Sequence, residues 1–289
     1  MKYVFIVNPS SGSGRAKEVA TKLEDVCKKE NMDYVIRLTN KPKEATKIAL
    51  EYKRDNCIIY AVGGDGTLNE VLNGIVGTKN KLGIIPCGSG NDFYKSISKL
   101  KEEELTIDVG KINDRYFINI ASIGIDAEVA NNVSIMKKRK IPCSQVYNAS
   151  ILYTFFTFKF KDLSFILNKT KKKAKYTLIA ICNGTYYGSG FKIAPYADLS
   201  DGLFDIYFVD KISKLKIPKL LGKLKKGTHG ESPDIHRRRA NKITLISKEK
   251  IICNIDGEII VDKKFKIELL SKKLIIFNDY SFIKKIMNK

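Results

Sequence analysis

The sequence predicts a parallel α/β domain followed by a mainly antiparallel β domain, and three observations carry that expectation. In the first third of the chain, short apolar runs alternate with stretches whose apolar residues recur at helical spacing, the pattern of parallel strands covered by helices on both faces. From about residue 105 onward, strand-like segments succeed one another with turn residues between them, as in an antiparallel sheet or β-sandwich. The third is size: 289 residues at 44% hydrophobic content exceed the usual single domain and suffice for two cores.

Residues Tyr3–Val7 are wholly apolar and read as the first strand, after which Ala16, Val19, Ala20, Leu23, Val26 and Cys27 mark one face of a helix. A strand at 34–38, a helix at 44–52 and a buried strand at 57–62 follow. Helices are then expected after the glycines at 63–66 and after Gly90, with a strand at 82–85 between them. The second half offers strands at 105–109, 116–125, 176–182, 203–209, 242–246, 251–255 and 265–270, with helices near 144–156 and 216–226 and a short one at 280–287. The expected division is an α/β domain over 1–125 and a β-sandwich domain over 126–274, with the tail 275–289 able to join the first.

Composition excludes several classes. The six cysteines are far apart, no C-x-x-C pair occurs and there are only two histidines, so neither a zinc site nor a disulfide framework is indicated, and a reduced cytosolic setting is the simplest reading. The apolar run of the first strand is too short for a signal peptide. Residues 141–158 carry no charge but are interrupted by polar side chains, which predicts a buried amphipathic helix or one touching a membrane surface, not a span. The formal charge of +21 comes from 52 basic residues, of which eight are arginine. The basic clusters at 137–140, 171–173 and 236–242 are either a solvated edge or a face drawn to anionic phospholipid. No RNP, zinc or helix-turn-helix pattern supports nucleic acid.

Three loops at strand ends are chemically loaded, which is where parallel sheets bind ligands. The first, VNPSSGSGRA, presents Asn8, Pro9, Ser10, Ser11 and Gly12 before a helix whose free N–H groups favour an anion, although a Ser/Gly loop that merely caps the helix has the same composition. The second, AVGGDGTLNE, packs Gly63, Gly64 and Gly66 around Asp65, with Thr67 able to cap the following helix. So many glycines together let backbone approach a phosphate closely. The third, IIPCGSGNDF, places Ser89, Asn91 and Asp92 at another helix start, where Asn91 or Asp92 can be an ordinary N-cap.

These segments, with the later DLSDGLFDIYFV and IDGE, resemble in order and rough spacing the diacylglycerol kinase catalytic family in its bacterial soluble lipid kinase branch, over essentially the whole chain. GGDGT alone also occurs in NAD kinases; the G-S-G-N-D-F loop and the D-G-L and D-G-E pairs are what look like lipid kinase. The resemblance implies a Rossmann-like nucleotide-binding domain and a β-sandwich domain, with ATP and lipid meeting in the cleft between them. Asn8 to Gly12, Thr39, and Gly63, Gly64, Asp65, Gly66, Thr67, Leu68 and Asn69 match the family's ATP-contacting positions, and Ser89 stands where Thr is usual.

The D-L-S-D-G stretch is also what an ordinary hairpin turn looks like. The resemblance implies a structural Mg²⁺ held by Asp201 and by backbone oxygens at Asp198 and Leu203. IDGE can likewise be only a turn, but the resemblance implies that Glu258 is the base that takes the lipid hydroxyl's proton, with Asp256 in reserve. The expected activity is transfer of the γ-phosphoryl group of ATP, with Mg²⁺, to diacylglycerol at a membrane surface by a cytosolic, peripherally associated protein; a homodimer is expected only by analogy. Another lipid acceptor, a soluble NAD kinase-like activity, and a non-catalytic domain binding anionic membrane are the alternatives.

Overall fold

The computed structural model describes residues 1–100, 102–138, 143–188 and 190–287. Its first half contains β1 (Tyr3–Val7), β2 (Tyr34–Leu38), β3 (Ile58–Gly63) and β4 (Lys81–Pro86), ordered β2-β1-β3-β4 and all parallel. Every residue of β3 is buried, as expected for a strand covered on both faces. The covering helices are α1 (Arg15–Lys29), α2 (Glu44–Glu51), α3 (Asp65–Ile75) and α4 (Asp92–Ile97).

The second half contains β5 (Glu104–Ile112), β6 (Arg115–Phe117), β7 (Ile120–Gly124), α5 (Ile125–Lys138), α6 (Cys143–Thr157), β8 (Asp162–Leu167) and β9 (Thr170–Cys182). Then come β10 (Phe204–Asp210), α7 (Ile217–Lys226), β11 (Ile235–Ala240), β12 (Lys242–Ile255), β13 (Glu258–Phe277) and α8 (Tyr280–Met287). Pairings β7–β9, β9–β8, β8–β12 and β12–β7 close a circuit, filled by Phe165, Tyr176, Phe208, Leu245, Phe265 and neighbours. The halves do not carry separate sheets. The 20-residue β13 pairs antiparallel with β12 and β5 and finishes parallel to β4, so hydrogen bonding runs through all 13 strands. The tail returns to the first half, where Phe282 lies 6.0 Å from Phe5 and 5.8 Å from Tyr60 between ring centroids.

Several expectations need correction. The strand expected at 116–125 is broken into β6 and β7, because the N–H groups of Ile118 and Asn119 turn to a buried carboxylate instead of a ladder. Ile125 then opens α5, a helix the sequence reading missed. The strand expected at 176–182 begins earlier, at Thr170, so Lys171 to Lys173 lie in the first half of β9, paired with β8 and exposed to solvent. Segments 242–246 and 251–255 are one strand with a register shift, and 265–270 is the middle of β13. The basic run expected at 137–140 lies partly outside the described residues.

The helix near 144–156 exists as α6, but its polarity is inverted. Ser150 and Thr154 are fully buried, with Thr154 accepting from Asn132 of α5, while Leu152, Tyr153 and Phe156 are 60%, 52% and 71% exposed. Among the described residues, no helix is long and apolar enough to cross a membrane.

Candidate active site

The three glycine-rich loops meet at the carboxyl ends of β1, β3 and β4. Two glycines are obligatory there. Gly12 has φ +62°, and a Cβ on it would sit 2.1 Å from the Cys87 carbonyl oxygen. A Cβ on Gly88 would lie 2.4 Å from the Gly64 Cα, so the second and third loops cross backbone to backbone. Hydrogen bonds fix the rest: Cys87 N–H donates to Gly63 O (2.8 Å), Asn8 N–H to Val62 O (3.0 Å) and Thr39 N–H to Val7 O (2.9 Å). Asn8 Nδ2 donates to Thr67 Oγ1 (3.3 Å), while Asn8 Oδ1 accepts from Ser10 N–H (3.1 Å). Thr67 is thus not the helix cap expected of it; α3 starts two residues earlier, and the hydroxyl ties the first loop to the second.

Asp65 sits at the α3 N-terminus and caps a different helix. Its Oδ1 accepts the Asp92 N–H (3.0 Å) at the start of α4. Burial, then the neighbouring Asp92 charge, raises its carboxyl above the ordinary 3.8, against N–H groups of 91–93 that favour the ion. Asn91, at φ +50°, closes the third loop on itself by donating to Gly88 O and accepting from Gly88 N–H.

A cleft of about 240 Å³ opens beside these loops. Asp65, Ser89 and Asp92 line one wall, Asn254, Asp256 and Gly257 the opposite one. Leu68, Phe93, Ile118, Ala130 and Val133 make it apolar between them, and Tyr187 and Gly188 stand at its edge. The fold therefore brings the GGDG and IDGE segments, about 190 residues apart in sequence, onto one cavity.

The two acids of IDGE differ sharply. Asp256, at φ +48°, accepts from the N–H groups of Ile118 (2.8 Å), Asn119 (3.1 Å) and Ile120 (2.9 Å) and from Asn69 Nδ2 (3.0 Å). Desolvation still outweighs those donors and pushes its carboxyl up to about 6. Glu258, the first residue of β13, is part-exposed and ion-paired with Arg115. Asn69, matched above to ATP, instead spends its amide on Asp256 and on Tyr116 O (3.2 Å), joining α3 to the far wall.

The DLSDG loop lies away from the cleft, and its carboxylates are engaged. Asp198 Oδ1 accepts from the N–H and hydroxyl of Ser200 (2.9 Å each). Asp201 Oδ1 accepts from Leu203 N–H (2.9 Å), and its Oδ2 is ion-paired with Arg239. Among the described residues no cluster of three metal-ligating side chains occurs. Asp201, the one side-chain ligand of the implied Mg²⁺ set, is held by a guanidinium, and the other two implied ligands are backbone oxygens, so a cation here would displace Arg239.

Sequence reasoning missed two acids. Asp108, wholly buried in β5, accepts from Gly202 N–H (2.7 Å), Ser271 Oγ (3.1 Å) and Lys272 N–H (2.7 Å), pinning the DLSDG loop to β13. Its signal was an acid inside the apolar run TIDVG. Asp126, at the start of α5, accepts from Ser122 Oγ and from the Tyr187 hydroxyl (2.7 Å) beside the cleft, and burial raises its carboxyl.

The comparisons with known proteins agree with this geometry. Residues 2–116 match the diacylglycerol kinase catalytic domain, and residues 119–278 match the YegS C-terminal NAD kinase beta sandwich-like domain. Diacylglycerol kinase of Staphylococcus saprophyticus is 29% identical over 281 residues, covering 88% of each chain; that of Staphylococcus aureus is 28% identical, covering 88% of this chain and 85% of its own. Two solved structures of Bacillus anthracis proteins assigned to the diacylglycerol kinases superpose with TM-scores of 0.75 and 0.76 at 27% and 26% identity. They cover 96% and 97% of this chain, and 94% and 98% of their own. With both halves of the chain matched and the glycine-rich loops facing the IDGE turn across one cleft, this chain belongs to the diacylglycerol kinase catalytic family and is a lipid kinase of that type.

Proposed function

We propose that the cleft transfers the γ-phosphoryl group of ATP to the free hydroxyl of diacylglycerol, making phosphatidic acid, and that the parallel half acts as a Rossmann-like nucleotide domain. The observation that carries this is that the second and third glycine-rich loops, braced by the first, line one cavity with the acidic turn and an apolar stretch between them. Loop N–H groups and helix starts offer donors to a triphosphate, and Mg²⁺ arriving with ATP supplies further charge neutralisation. The apolar lining suits the acyl side of the acceptor.

Glu258 takes the acceptor's proton in this reading. Asp256 already receives four N–H donors and holds segment 118–120 in place, which leaves its oxygens no room for a hydroxyl. Arg115 holds the Glu258 carboxylate in place at the end of β13 through their ion pair.

The lipid is delivered from a membrane surface. The exposed Leu152, Tyr153 and Phe156 of α6 lie beside Leu215, 86% exposed, because Lys214 Nζ donates to Phe156 O (3.0 Å). Apolar side chains flanked by lysines suit the boundary of an anionic bilayer. The basic strand β11 contributes less, since Arg237 and Arg239 are paired with Asp205 and Asp201.

The test is transfer of labelled γ-phosphate from ATP to diacylglycerol in mixed micelles, with NAD and a sphingoid base in parallel. Labelled phosphatidic acid that disappears in Glu258→Gln is the expected result. Label in NADP alone would move the chain to the soluble kinases, and label in the sphingoid base alone would replace the acceptor.

A further inference from the structure

A second hollow, of about 390 Å³, lies outside the cleft, between the β8–β9 hairpin and the β10–β11 pair. Its floor is aromatic: Phe165 and Phe208 pack at 4.5 Å between centroids with their rings tilted by 32°, and Tyr176 lies 5.7 Å from Phe208 and 6.0 Å from Phe165. Its rim carries the basic side chains Lys172, His236 and Arg238 with the polar Asn168 and Thr170.

Register shows how unusual that rim is. Residues directly opposite each other on paired antiparallel strands share a face. Lys172 stands opposite Phe165, His236 opposite Phe208 and Arg238 opposite the fully buried Ile206. Positions that alternation reserves for the core are thus filled by basic side chains where the core opens to solvent.

The same strand supplies the contrast. On the other face of β11, Arg237 and Arg239 meet Asp205 and Asp201, and on this face His236 is held by Asp210 at 2.9 Å. Among the described residues, Lys172 and Arg238 have no acidic partner; Arg238 Nη1 donates only to the Arg237 carbonyl (2.9 Å). Two uncompensated cations above three aromatic rings call for a ligand with both a negative charge and an apolar body.

We propose that this hollow binds a single-chain amphiphile with an anionic head, a phosphate monoester or a carboxylate. Its head lies between Lys172 and Arg238, and its hydrocarbon end rests on Phe165, Tyr176 and Phe208. The site is built from strands β8 to β11 and the β8–β9 turn, and it is separate from the cleft that holds Asp65 and Asp256.

The chain contains no tryptophan, so Thr170→Trp on the exposed rim places a single reporter at the hollow that does not sense binding in the cleft. Titration of this variant with 1-oleoylglycerol 3-phosphate or oleate, below their critical micelle concentrations, is expected to change its emission saturably. Adding Lys172→Glu and Arg238→Glu should weaken that binding by at least about tenfold while the melting temperature holds, since both side chains are exposed. A response to only one of the two lipids identifies the head and supports the proposal. An equal response to monooleoylglycerol or to inorganic phosphate, or no loss on charge reversal, overturns it. So does an emission that shifts with protein concentration in the absence of lipid, which would mean that a second copy of the chain covers the hollow.

Discussion

The two walls of the cleft use one device to different degrees. On the glycine-loop wall, Asp65 satisfies N–H groups at the start of α4; on the IDGE wall, Asp256 satisfies those of residues 118–120. Each carboxylate holds a neighbouring segment in shape. Asp65 keeps one face on the cavity and a like charge beside it, whereas Asp256 is saturated by four donors and Glu258, two residues on, is left with a single arginine. Neighbouring acids in one motif thus differ in engagement: Asp256 fixes backbone, and Glu258 has one ionic partner.

The sharpest way to break that contrast is to swap the acids' fates. Glu258→Gln should lower kcat by roughly 10²–10⁴ with the melting temperature unchanged. Asp256→Asn should instead turn an amide N–H toward backbone N–H groups and cost about 3 kcal/mol of stability, read by chemical denaturation. Loss of activity without loss of stability in the second variant would reverse the assignment.

The pH dependence sharpens the same point. Asp256 holds its proton up to about 6 when folded, against an ordinary 3.8, so the folded state binds more protons in that window. Its contribution to stability is complete below about pH 4 and declines as pH rises through 6; Asp65, also raised, adds in the same direction. Denaturation midpoints across pH 4 to 7 should show a decline that is reduced in Asp256→Asn.

On the glycine-loop wall the constraint is steric. Gly88→Ala puts a methyl 2.4 Å from the Gly64 Cα and should cost roughly 1–3 kcal/mol while raising the KM for ATP far more than that for lipid. The smallest effect is expected farthest from the cleft. Phe156→Asp with Leu215→Asp should lower activity on anionic vesicles several-fold yet leave a dispersed short-chain diacylglycerol unaffected, and added salt should weaken only the vesicle activity.

Much of this was legible in advance where physics is local. The all-apolar β3 and the glycine loops announce themselves because a buried parallel strand and a close backbone crossing each demand particular residue types. What stayed hidden depends on partners remote in sequence. Nothing local in the exposed Lys171 to Lys173 says that β8 will pair with them, and nothing local in Thr67 says that Asn8 will claim its hydroxyl. Arg239 and Asp201 read as a basic patch and a metal ligand, and only the β10–β11 pairing makes them each other's counterion.

Strand β13 joins Glu258 at one end to the parallel sheet at the other, and it behaves as a continuous beam clamped in both halves. Such a beam flexes where it is creased; it does not swivel as a linker would. The crease is the register shift between Leu270 and Leu274, and there Asp108 bolts Ser271 and Lys272 to the loop at Gly202. The acidic turn and the glycine loops are thus tied through one continuous strand, and the Asp108 bolt stiffens it at its bend.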